Sequence, residues 1–309
     1  MSDAPEQDES EIEASRAPLL EHLIELRSRL IVCIAAIFVA FLICFAVSEP
    51  LFKFLLRPFS IAAQLLAIRQ GGAHPHAASS DLLSAVEGAK NMFLALVGAL
   101  DLPAPVGKVT SLVFTAPLEF FFTKVKLAAL GAVVLSFPVL AWQIYAFVAP
   151  GLYKRERRAF LPFLAAAPVL FVMGAALVYY MILPFVLWFA LSQQIVGTAG
   201  ISVQLLPKVS DYFSLVTTLV LAFGLFFQLP VVLTLLAMAG MVNAAMLIKG
   251  WRFAVAGIVL AAAIVTPPDP ISMTLLAVPI IALYFVSIGC VKLIERRRAR
   301  DDAADAAAA

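Results

Sequence analysis

Leu30-Ile-Val-Cys33-Ile-Ala-Ala-Ile-Phe-Val-Ala40-Phe-Leu-Ile-Cys44-Phe-Ala-Val-Ser48 contains no charged side chain. As a helix rising about 1.5 Å per residue, it matches the roughly 30 Å of hydrocarbon in a bilayer. Charge-free runs recur at 127–153, 159–207, 212–248, 253–268 and 270–291. Across all 309 residues, 63% are hydrophobic and 14% charged, against about 45–50% and 25% in a soluble domain. With a mean hydropathy of +0.99, the chain reads as an all-α integral membrane protein with six spans. They are expected near 30–48, 120–147, 160–190, 212–239, 252–266 and 271–291. The fifth is short enough that its hairpin with the sixth is expected to thin the bilayer.

Residues 1–17 are acidic, offer little to bury, and are expected to be disordered. No cleavable leader is evident, because the first apolar run has full span length and acidic residues precede it. From Pro18, which suits a first helical turn, Leu19, Leu23, Leu26 and Leu30 recur at helical spacing. This predicts an amphipathic helix over 18–29, lying on the membrane surface and running into the first span. Glu25 and Arg29 stand at i,i+4 in the favourable order. The organisation expected is a six-span core over 18–291, interrupted by a long periplasmic loop at 49–119, and a basic, Ala-rich cytoplasmic tail at 292–309. Within the long loop, Leu82, Leu83, Val86, Met92, Phe93, Leu96 and Val97 suggest a helix lying against the outer surface.

Basic residues set the orientation. Arg16, Arg27 and Arg29, the cluster Lys154, Arg155, Arg157 and Arg158, the pair Lys249 and Arg252, and the basic C-terminal segment fall on one side if the N-terminus is inside. Both termini are therefore expected in the cytoplasm. The net charge of +2 gives no reason to expect a nucleic-acid partner.

Several chemistries find no support. There is no GxxxxGK[ST] loop for nucleotide, no HExxH and no GxSxG, and the three histidines lie outside the apolar runs. No cofactor is implied. His74 and His76 form too small a ligand set for a metal site, and Cys33, Cys44 and Cys290 sit in apolar spans as small hydrophobes. Nothing argues for an enzyme.

The few polar residues near the spans carry the functional information. Glu119, Lys124 and Lys126 at the second span read as snorkelling side chains, and Asp211 as an acid at a helix start. Asp269 lies in the tight turn Thr266-Pro-Pro-Asp269-Pro270. Gln228, just before Pro230, has two open readings: a hydrogen bond across helices, or a partner for the carbonyl that Pro230 frees. Glu156 stands alone among four bases in Phe147-Val-Ala-Pro150-Gly-Leu-Tyr153-Lys-Arg-Glu156-Arg-Arg158. By residue type it forms solvated ion pairs. Alternatively, Glu156 and Glu25 together could read two adjacent arginines, since guanidinium groups bind carboxylates bidentately. A secondary transporter for a small solute is the rival class, although no internal repeat or paired intramembrane acids support it.

Four segments together resemble one family, TatC, the multi-spanning subunit of the twin-arginine protein translocase. They are His22-Leu-Ile-Glu25-Leu-Arg27-Ser-Arg29-Leu, the 147–158 segment, Ala222-Phe-Gly-Leu-Phe-Phe-Gln228-Leu-Pro230, and Thr266-Pro-Pro-Asp269. The resemblance implies a concave, glove-like arrangement of six spans in the bacterial inner membrane. It implies binding of twin-arginine signal peptides of folded cargo at the cytoplasmic face, and export driven by the proton-motive force. Single-span TatA- and TatB-type subunits would be partners, in a larger complex holding several copies of the chain. By position, Glu156 would be the main carboxylate for the twin arginines, with Glu25 assisting and Arg27 organising the site. Phe147, Pro150, Leu152 and Tyr153 would shape the loop, while Pro58, Gln228 and Asp269 match further functional positions. The chain departs from the pattern in two places. Some members carry glutamate at the position of Gln228, and the first outer loop is longer here.

Overall fold

A computed structural model describes residues 4–71, 82–100, 112–148, 154–192, 195–198, 201–203, 207–265 and 270–308. Side chains are described over 24–65, 90–100, 112–147, 164–191, 207–265, 273–297 and 299–300. Helix α1 (Ala4–Ala46) leads almost directly into α2 (Ser48–Gly71), and α3 spans Leu82–Val97. Then follow α4 (Glu119–Val148), α5 (Lys154–Leu177), a π-helical turn at Val178–Ile182 and α6 (Leu183–Ser192). Strands β1 (Ile195–Thr198) and β2 (Ile201–Val203) pair antiparallel before α7 (Val209–Phe226), α8 (Leu229–Met238), α9 (Ala244–Val265) and α10 (Pro270–Ala308).

Six helical segments are long and apolar enough to cross a membrane: Ile24–Ala46, Glu119–Phe147, Leu164–Leu191, Val209–Met238, Ala244–Val265 and Met273–Arg297. The third span joins α5 to α6 through the π turn, and the fourth joins α7 to α8. Both joints precede a proline. Pro184 has no N–H and its ring crowds the carbonyl of Tyr180, so widening the preceding turn accommodates it. Pro230 sits in the first turn of α8, where a missing N–H costs little.

Helix α7 is the hub of the core. Phe213, Val216, Leu219 and Phe223 are fully buried on it. Close approach to α5 depends on a small residue: a Cβ on Gly224 would stand 2.4 Å from the Phe171 ring. Helix α1 lies at the periphery against α4, burying only Ala40 and Cys44 among its described residues. A Cβ on Gly131 of α4 would stand 2.8 Å from Cys44 Sγ, so this contact too needs the glycine.

Three expectations need correction. Helix α1 does not begin at Pro18 but reaches back to Ala4, through the segment expected to be disordered. Its Ala and Glu residues favour helix, and acids near a helix N-terminus suit the dipole. The 49–119 loop contains α2 as well as the expected helix α3. Lys53, Arg57 and Pro58 mask α2 in the sequence, yet its Leu55, Phe59, Ala62 and Ala63 are buried. The fifth span is not short: α9 has 22 residues, about 33 Å of helix, so its length does not demand a thinned bilayer. Lys249 and Arg252 lie inside that helix and are exposed, as snorkelling side chains at a membrane boundary are. Helix α10 continues from the sixth span through the basic segment to Ala308.

Candidate functional site

Helix α1 packs on α4, and α4 on α5. The N-terminal part of span one, the end of α4 and the start of α5 therefore meet at one end of the bundle. Glu25 and Arg29 pair across one turn of α1, with Arg29 Nε 3.1 Å from Glu25 Oε1 and a second contact through Nη2. This is the pairing expected from their spacing. Arg27 is exposed on the same helix, and Phe147 is half-buried near the end of α4. Glu156 falls in the first turn of α5, where the helix dipole favours a negative charge. Its side chain lies outside the described residues. Pro150, Leu152, Tyr153 and Asp269 also lie outside them, as do His74 and His76.

Of the two readings open for Gln228, the structure takes the bond across helices. The amide is buried in the break between α7 and α8, and its Nε2 donates to the Ala167 carbonyl of α5 at 2.9 Å. It is a structural clamp with a neutral head. Two hydroxyls of this span, Thr217 Oγ1 and Thr234 Oγ1, are buried without a hydrogen-bond partner among the described residues.

Pro58 is buried inside α2. Lacking an N–H, it leaves the Phe54 carbonyl without its usual i+4 donor. The Tyr179 hydroxyl donates to that carbonyl at 2.9 Å, and the Tyr179 ring stacks on Phe54 at 4.4 Å between centroids. Next to it, Tyr212 donates to the Leu55 carbonyl at 2.6 Å. Neither tyrosine was marked by the sequence reading. The available signal was tyrosine in an otherwise apolar span, since a buried hydroxyl needs a partner.

Glu119 does more than snorkel. Its Oε2 accepts from the backbone N–H groups of Thr115 at 2.7 Å and Ala116 at 3.2 Å, while Oε1 accepts from Ser210 N–H at 3.1 Å. One carboxylate thus joins the start of α4 to the start of α7. The chain beside it is tied down as well, through Val113 N–H to Pro207 O and Val209 N–H to Val113 O, each 3.2 Å. Lys124 lies over the Phe120 ring, 4.8 Å from its centroid, and Lys126 Nζ is 3.2 Å from Ser214 Oγ.

Six helical segments long and apolar enough to cross a membrane define a multi-pass helical membrane protein. The fold is shared with a solved structure titled as the twin arginine translocase receptor TatC, at a TM-score of 0.64 and 27% identity. That similarity covers 87% of this chain and 99% of the other. A relative from Magnetococcus marinus, named Sec-independent protein translocase protein TatC, is 37% identical over 94% of this chain and 90% of its own length. The Escherichia coli protein of the same name is 31% identical over 88% of this chain and 86% of its own length. The family model described as Sec-independent protein translocase protein (TatC) matches residues 21–279. The chain belongs to the TatC family, the protein translocase component of the Sec-independent system.

Proposed function

We propose that this protein is the receptor subunit that binds twin-arginine signal peptides at the cytoplasmic face of the bacterial inner membrane. With single-span TatA- and TatB-type partners, it exports folded cargo using the proton-motive force. Both termini face the cytoplasm in this reading, as the basic segments require, and the helices form a concave, glove-like wall. The observation that carries it is the convergence of two acid-bearing helices, α1 with Glu25 and α5 with Glu156, on α4. Two carboxylates near one end can neutralise two guanidinium groups with bidentate geometry that lysine lacks.

Glu156 serves as the main acceptor. Glu25, already shared with Arg29, assists, and Arg27 organises the approach. Phe147, Pro150, Leu152 and Tyr153 form the apolar rim that fixes the loop. Pro58, Gln228 and Asp269 support partner contacts or the frame. Gln228 takes no part in proton transfer, because an amide does not titrate at physiological pH.

The test is photo-crosslinking of a twin-arginine signal peptide to the protein in membranes, beside its two-lysine counterpart and a Glu156→Lys variant. The reading expects strong crosslinks only for the first combination. Equal crosslinking of the two peptides, or an undiminished signal with Glu156→Lys, rejects it. Uptake of a small solute by vesicles holding this chain alone would instead support a transporter.

A further inference from the structure

We propose that the groove between the first half of α9 and the last membrane turns of α10 is a resident site for one anionic glycerophospholipid. Ile248 and Trp251 of α9, with Phe285, Ile288 and Gly289 of α10, line a space of about 550 Å³ that ends at Lys292. A second recess of about 470 Å³ adjoins it, sharing Ile248 and Lys292 and bordered by Arg296. The two make one channel, apolar at one end and cationic at the other.

Its dimensions fit one lipid better than a partner's helix. From Phe285 to Arg296 is eleven residues of helix, about 16 Å, which is close to the half-thickness of bilayer hydrocarbon. A spanning helix would need a groove through both leaflets, whereas acyl chains need only one. The charge points the same way. Lys292 and Arg296 are exposed and form no ion pair among the described residues. The acid beside them, Glu295, has its Oε1 engaged with the Ala244 N–H at 2.8 Å, at the start of α9. Lys249 and Arg252 add positive charge to the same end of α9, with Arg252 5.9 Å from the Trp251 ring centroid. Basic pockets between spanning helices are suited to anionic headgroups. A phosphate placed between Lys292 and Arg296 would leave the lipid tails along Phe285, Ile288 and Gly289.

The test is native mass spectrometry of the full chain in detergent, titrated with phosphatidylglycerol and phosphatidylcholine. Two basic contacts correspond to about a 30-fold preference for phosphatidylglycerol. The double change Lys292→Gln with Arg296→Gln should bring the two lipids close to parity. At Gly289 an added side chain meets nothing within 4 Å, so Gly289→Leu builds into the groove without disturbing the fold. It should lower retention of both lipids with an unchanged unfolding midpoint. Equal retention of the two lipids by the unaltered chain overturns the site, as does full retention with Gly289→Leu. So does crosslinking in membranes from a Gly289→Cys variant to a partner subunit's helix instead of to photoactivatable phosphatidylglycerol.

Discussion

Where α4 and α7 begin, the Glu119 carboxylate takes three backbone donors from two chain segments, and nearby two tyrosines supply donors to carbonyls of α2. At the opposite end, the described acid on α1 has only a neighbour one turn away, Arg29, and both side chains remain partly open to solvent. The first end spends its polar groups on itself through contacts between residues far apart in sequence. The second leaves charge available. Such a division suits a protein with one rigid end and one that receives a ligand, since bonds that join distant segments, two of them from the buried Tyr179 and Tyr212, fix geometry, while a pair within one helix adds little stability.

The sharpest way to break this comparison is at the open end. Glu156→Lys should abolish most crosslinking of a twin-arginine peptide, a loss of more than about tenfold for removing a charge-assisted pair, while the thermal unfolding midpoint holds. At the closed end the pattern should invert. Glu119→Ala should lower the unfolding midpoint in detergent more than any change at Glu25, because it removes the acceptor that ties the segment before α4 to the start of α7. Tyr212→Phe should cost about 1–3 kcal/mol by leaving the Leu55 carbonyl unpaired in a buried position. A double-mutant cycle sharpens the point further. Pro58→Ala restores an N–H for the Phe54 carbonyl, so Tyr179→Phe should cost less in that background than alone. Gln228→Leu should cost about 0.6–1 kcal/mol, the usual worth of a hydrogen bond between spanning helices. The smallest effect belongs to Glu25→Gln, at about 0.3–0.5 kcal/mol for a helix i,i+4 pair, with any larger loss appearing in peptide binding instead. If Glu25→Gln destabilises as much as Tyr212→Phe, the contrast between the ends fails.

The spans were legible because a bilayer demands long apolar helices, and runs such as 30–48 have few other uses. Their ends were less so. Charged side chains read as boundaries, yet Lys249 and Arg252 lie within α9, and an acidic segment that looked too polar to order continues α1. The Glu25–Arg29 pair could be read because its partners are four residues apart. The bonds of Tyr179 and Tyr212 could not, since they join residues 125 and 157 positions distant. For Gln228, residue type announced a hydrogen bond, but only packing of α5 against α7 chose the Ala167 carbonyl. The four segments that resemble TatC supplied what local rules could not, namely which end of the bundle to inspect.

The peripheral seat of α1 has a consequence in time. Its main contact is α4, reached through Cys44 and Gly131, and Gly131 is synthesised long after α1 has left the ribosome. At about 5–20 residues per second, the delay is on the order of ten seconds. During that interval the first helix must reside in lipid with its eventual partner still unmade. The span beginning at Ile24 is the most apolar of the six, which suits a helix that inserts alone and waits.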